Sequence, residues 1–253
     1  MIKMKHFRYY LFVIIFSIAL SIEGKTENQI VADLSQENVK ISTNFLGAKI
    51  LLFGAYDGKQ GDDIIIVVTG PKGLVTIQKK EKIFGMWVNT KKVNYINTPK
   101  YLSISSNRPI DEILEKRTQK LSQIGLNNLN IRVQPGTKID DNVGWREALT
   151  RNMIKSNLWS INENSVSLNK NALFRSYLNL PSNVVVGEFE VKILHYRNGS
   201  LLSKEKNTIN VSKSGFSAEI YNIAENYSTL YGIFAVLLAV LIGWGTNLVF
   251  RKF

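Results

Sequence analysis

The residues of this chain that could do chemistry are few and far apart. It has no cysteine, which excludes disulfides, thiolate nucleophiles and any metal site that needs sulfur ligands. Its two histidines are His6 and His195, and only His195 lies beyond the apolar N-terminal leader. A Ser-His-Asp relay would have to run through it, and the surrounding pattern places it in a strand rather than a loop. Asp57, Asp62 and Asp63 crowd a turn at residues 56–63. Three carboxylates there could hold a hard cation such as calcium, but Asp and Gly are equally what a plain hairpin turn uses. Lys79, Lys80, Lys82, Lys91 and Lys92 form a basic patch, a candidate anion site. No nucleophile, base and orienting group fall into a motif with a known mechanism. The expectation is a non-enzyme, with no catalytic, cofactor-binding or metal residue assigned.

The two ends of the chain set where these residues must work. Lys3, Lys5 and Arg8 precede an apolar run from Tyr9 to Leu20, the layout of a secretory signal and short for a spanning helix. Cleavage is expected after Ser21. From Leu230 to Phe250 the chain carries no ionised side chain, and Arg251 and Lys252 follow at once. As a helix that run is about 31 Å long, enough to cross a bilayer core of about 30 Å. Export of the N-terminus and the positive-inside rule together put the middle of the chain in the periplasm and the last residues in the cytosol. Tyr227, Tyr231 and Trp244 fall near the ends of the span, where amphipathic rings prefer to lie. Ala235, Ala239 and Gly243 recur every fourth residue, a ridge of small side chains along which a second helix could pack closely.

Between these ends the pattern is mostly that of strands. Residues 48–55 and 64–69, and the runs 74–77, 85–89 and 101–106, are rich in β-branched and aromatic residues bounded by Gly, Pro and Asp. Trp87 reads as a core residue, since large aromatics chiefly supply buried area. Asn107 and Pro109 mark the start of a helix that Gly125 can end, with Ile110, Ile113, Leu114, Leu121 and Ile124 on its inner face. A second helix is expected from Trp145 to about Trp159, started by the signal Asp140-Asp141-Asn142, with Leu149, Met153 and Ile154 inward. The segment from Gly187 to Ile193 alternates with period two, and Asn198-Gly199 is a hairpin turn.

The fold class expected is mainly β: an immunoglobulin-like sandwich with two connecting helices and one C-terminal transmembrane helix. The boundaries are a signal peptide (1–21), an N-terminal β-rich region (22–110), a helical connection (111–160), a second β-rich region (161–226), the span (227–250) and a short tail (251–253). The full chain carries +12, of which the part between signal and span keeps about +8, either a plain solvated basic surface or one that favours anionic headgroups or ligands. No nucleic-acid recognition motif is present.

Several short motifs occur in a fixed order: Phe53-Gly54-Ala55, Thr69-Gly70-Pro71, Gly85-Met86-Trp87-Val88-Asn89, Ser106-Asn107-Arg108-Pro109, Leu173-Phe174-Arg175, Leu180-Pro181-Ser182-Asn183 and Leu230-Tyr231-Gly232. By these the chain resembles the Putative transmembrane protein family of alphaproteobacteria, which joins an exported domain to one C-terminal span. The terminal Phe250-Arg251-Lys252 departs from the family in carrying Lys where a second Arg is usual. The resemblance implies no catalytic residue. It implies, through the sulfite-exporter-type permeases often encoded beside such proteins, an accessory role at a transporter. The functions left standing are a membrane-tethered interaction module, the leading one, or a periplasmic anion-binding protein, with an enzyme third.

Overall fold

The structure, a computed structural model, describes residues 30–137, 141–170, 172–214, 220 and 223–250. The signal-peptide segment, Asp140 and the Arg251–Phe253 tail lie outside the described residues.

The β-rich body is built on a central sheet whose middle strands are buried on both faces. Its strands run β2 (Asn38–Ile41), β13 (Ser200–Lys213), β12 (Gly187–Arg197), β4 (Asp62–Thr69), β7 (Leu102–Ser106) and β9 (Trp159–Asn162), paired in that order. One face meets a second sheet of order β1 (Ile30–Leu34), β3 (Ala48–Tyr56), β11 (Leu173–Leu180) and β10 (Ser167–Asn169). Ile64, Ile66, Val68, Phe189, Val191 and Ile193 fill the space between them with Ile50, Leu52, Phe174 and Leu178. The other face packs Ile65, Val67, Leu102, Ile104, Leu194 and Tyr196 against helices and a third sheet. Side chains alternate along a strand, so β4 can send residues to both cores only if every position is apolar, and Ile64-Ile65-Ile66-Val67-Val68 meets that demand. Both sheets of the sandwich mix strands from the two β-rich regions. The pairs β2–β13 and β7–β9 are parallel, the rest antiparallel.

The third sheet is the long hairpin of β5 (Lys72–Ile83) and β6 (Met86–Pro99), with the short β8 (Arg132–Val133) along β6. Its base is anchored in the second core by the opposed pair Ile77 and Val93. Beyond that pair the helix at Asn142–Lys155 flanks it at Gln78, Lys79, Lys80 and Lys91, and the outer part of the hairpin is largely exposed.

The helices differ from expectation in instructive ways. The first is broken into α1 (Ile110–Ile113) and α2 (Lys116–Leu121). Leu114 takes an extended backbone and is buried, and the Gln119 amide donates to its carbonyl, satisfying the acceptor the break leaves open. Leu121, expected inward, is exposed. Asn107 does not cap α1; its side chain accepts from Ile64 N–H and donates to Asp63. The Glu163 carboxylate takes the N–H of Ile110 instead. α3 (Asn142–Lys155) starts at the expected signal but before Trp145, with the Asp141 carboxylate accepting from Val143 and Gly144 N–H, both at 3.1 Å. It stops short of Trp159 because Asn157 turns left-handed (φ 56°), and Ile154 is exposed. Trp159 instead opens β9, buried, its indole N–H donating to Pro99 O at 2.9 Å.

Trp87 corrects the sequence reading: it is 70% exposed. It sits on the outer part of the β5–β6 hairpin, where there is no core for it to fill.

Candidate functional site

The five lysines of the basic patch all lie on the β5–β6 hairpin, but not as one cluster. Lys79 and Lys91 face each other directly across the ladder, while Lys92 pairs with Gln78 on the opposite face. Lys79, Lys80 and Lys91 line a groove of about 510 Å³ against α3, with Trp145, Arg151 and Asn152 on its far wall. Lys82 and Lys92 stand outside it. Lys79 also pairs with Glu81 at 2.9 Å, and Asp141 lies at the groove's rim. The groove is therefore basic and partly compensated, with one aromatic wall.

The carboxylates of the 56–63 turn do not converge. Asp62 and Asp63 are neighbours on a strand and point to opposite faces of the sheet. Asp62 is buried beside His195. It accepts from Arg197 Nε and Nη2 at 2.6 and 2.7 Å, from Lys59 N–H at 2.7 Å and sits 2.9 Å from His195 Nε2. Burial alone would raise its pKa; the hydrogen bonds from Arg197, the Lys59 N–H and His195 outweigh that and hold the carboxyl well below its usual range. Asp63 forms a second fork with Arg108, at 2.6 and 2.7 Å, and takes Asn107 Nδ2 at 3.0 Å. Asp57 is exposed. Among the described residues no group of three or more His, Asp or Glu side chains is placed to hold a metal.

His195 does connect a serine to an aspartate, for Ser203 Oγ lies 3.4 Å from its Nδ1. No local pattern reveals this, because Ser203 and Asp62 reach His195 only across two ladders. The contact is long, the ring is fully buried, and the Tyr56 ring packs edge-on against it at 5.1 Å. Arg197 already neutralises the carboxylate through its two-bond fork. The arrangement is that of a polar strap through the core.

α4 (Ser228–Phe250) is the remaining element. Residues Ser228–Asn247 are long and apolar enough to cross a membrane, and none of that window is buried within the chain. Ala235, Ala239 and Gly243 lie on one face, all exposed. An added Cβ on Gly232, Gly243 or Gly245 would meet nothing within 4 Å. Thr246 folds its hydroxyl back onto Ile242 O, which satisfies it without water. The family model described as Putative transmembrane protein (Alph_Pro_TM) matches residues 29–252, the β-rich body and this helix together.

The chain belongs to that family. As a member it is a membrane protein with one candidate C-terminal transmembrane helix, and that helix implies contact with the lipid bilayer. No curated protein matches the chain. The family match takes in both the hairpin lysines and the small-residue ridge.

Proposed function

We propose that this protein is a single-pass, membrane-anchored interaction module: the β-rich body stands in the periplasm, the last residues in the cytosol, and the protein serves an inner-membrane transporter as an accessory subunit. The observation that carries this reading is α4. Its small residues form a flat ridge, and glycine inside a helix costs about 1 kcal/mol relative to alanine. A helix facing only lipid gains nothing from that cost, whereas a helix in close contact with another does. The permease of sulfite-exporter type is the partner the family resemblance supplies.

Site-specific crosslinking tests it. A photo-crosslinker at Ala239 in native membranes should capture an integral membrane protein, and Ala235→Leu with Gly243→Leu should abolish the product. Capture of lipid alone, or only of a second copy of this chain, contradicts the accessory reading.

A second reading, a periplasmic anion-binding protein, rests on the groove that Lys79, Lys80, Lys91 and Arg151 share. Sulfur oxyanions and phosphate should then raise the melting temperature of the full-length protein, and Arg151→Gln should remove the shift. No stabilisation across the set counts against it.

A further inference from the structure

We infer that the tip of the β5–β6 hairpin docks into the interfacial layer of an anionic phospholipid bilayer, with Phe84, Met86 and Trp87 among the upper acyl chains and the flanking lysines at the phosphates.

The hairpin is built to reach. Residues 78–92 lie beyond the last buried pair, Ile77 and Val93, and carry the two strands roughly 20 Å past it. At the far end Ile83, Phe84, Met86, Trp87 and Val88 are consecutive save for Gly85 and all exposed; Phe84 is 99% exposed and Met86 67%. Five lysines against one glutamate occupy the shaft between this tip and the body. A cluster of apolar and aromatic side chains ringed by lysine is the composition that binds a bilayer interface, where aromatic rings settle at headgroup depth and lysines meet anionic lipid.

The turn itself points outward. Among the described residues, two hairpins close on two residues that both have positive φ. In one the pair is Asn198 (φ 49°) and Gly199 (φ 76°); in the other it is Phe84 (φ 49°) and Gly85 (φ 84°). Asparagine tolerates that conformation and is favoured at the first position. Phenylalanine is not, and Phe84 touches no core that would compensate. That conformation makes sense where an apolar phase lies within reach.

Such a phase is always near. α4 holds the chain at a bilayer, and residues 214–227, between the end of β13 and the start of α4, can span at most about 50 Å. Tethering of this kind makes docking effectively intramolecular. The inference rests on the chain being a membrane protein; it does not depend on a permease partner or on an anion in the groove.

The absence of cysteine makes a single-label experiment clean. Met86→Cys and, separately, Ser200→Cys in the full-length protein would carry an environment-sensitive fluorophore. Each is reconstituted into phosphatidylcholine vesicles with or without phosphatidylglycerol and with spin-labelled quencher lipids. The label at 86 should be quenched and blue-shifted when phosphatidylglycerol is present, less so without it or in high salt. The label at 200 should stay unquenched. Lys80→Gln and Lys82→Gln should each weaken docking about five-fold. Phe84→Asn combined with Trp87→Ser should abolish it while hydrogen exchange shows the strands intact. Equal quenching at 86 and 200, or none at 86 in phosphatidylglycerol vesicles, overturns the proposal. So does shielding of the 86 label in native membranes but not in lipid vesicles, which would assign the tip to a protein partner.

Discussion

Asp62 and Arg197 face each other across the β4–β12 ladder and are joined by a two-bond fork, with Nε 2.6 Å from Oδ1 and Nη2 2.7 Å from Oδ2. The pair ties the β3–β4 turn to the end of β12 and gives the buried carboxylate its counter-charge. A buried charge left without its partner is expensive, because water cannot replace it. Arg197→Ala should therefore destabilise the full-length protein by about 3–5 kcal/mol, measured by urea unfolding in detergent. A loss under about 1 kcal/mol would mean that Asp62 is hydrated or otherwise compensated.

The same carboxylate sets an acid limit. Arg197, the Lys59 N–H and His195 overcome the effect of burial and depress its pKa in the folded state below the ordinary 3.8. The unfolded chain then takes up this proton more readily than the folded one. Its stabilisation is fully present above the unfolded value and drains away as pH falls through about 4 toward the folded value. Unfolding free energy should fall over that window, and Asp62→Asn, though less stable throughout, should show a shallower fall. An unchanged slope in the variant would place the acid sensitivity elsewhere.

Gly54 lies in β3 between β1 and β11, its two neighbours in the same sheet. A Cβ there would run into Val31 O and stand 2.6 Å from the Phe174 ring. Backbone on one side cannot yield, so Gly54→Ala should cost about 1–3 kcal/mol through overpacking. Thermal unfolding reads this directly. A neutral substitution would show that β1 can move away from β3.

The unusual turn makes a prediction with two signs. Phe84→Asn relieves a left-handed aromatic and should slow amide exchange at the hairpin end by a factor of about 5, equivalent to about 1 kcal/mol. The same change should weaken vesicle docking. If exchange quickens instead, Phe84 is stabilising its own turn and the outward role loses its motive.

Much of this was legible before the fold was seen. β4 announced itself as a strand, Asn198-Gly199 as a tight turn, Asp140-Asp141-Asn142 as a helix start and the last apolar run as a span. These are local signals, each decided within a few residues. What depended on distance was hidden: Arg197 and Asp62 are 135 residues apart, and Ser203 meets His195 only through ladder register. The break at Leu114 needed Gln119 to satisfy a carbonyl that a helical pattern assumes already bonded. Trp87 was misplaced because burial depends on what lies opposite, and no periodicity reveals how far a hairpin outruns its body. The five lysines of the basic patch share one hairpin, but the ladder divides them between two faces, which no local pattern shows.

The central claim is that α4 crosses the membrane with the β-rich body on the outer side. A membrane-impermeant maleimide tests it on two single-cysteine forms, Ser200→Cys and a cysteine added after Phe253, in intact spheroplasts and after lysis. The account predicts labelling at position 200 in intact spheroplasts and at the C-terminus only after lysis. Labelling of the C-terminal cysteine in intact spheroplasts, or of both sites alike, would contradict it.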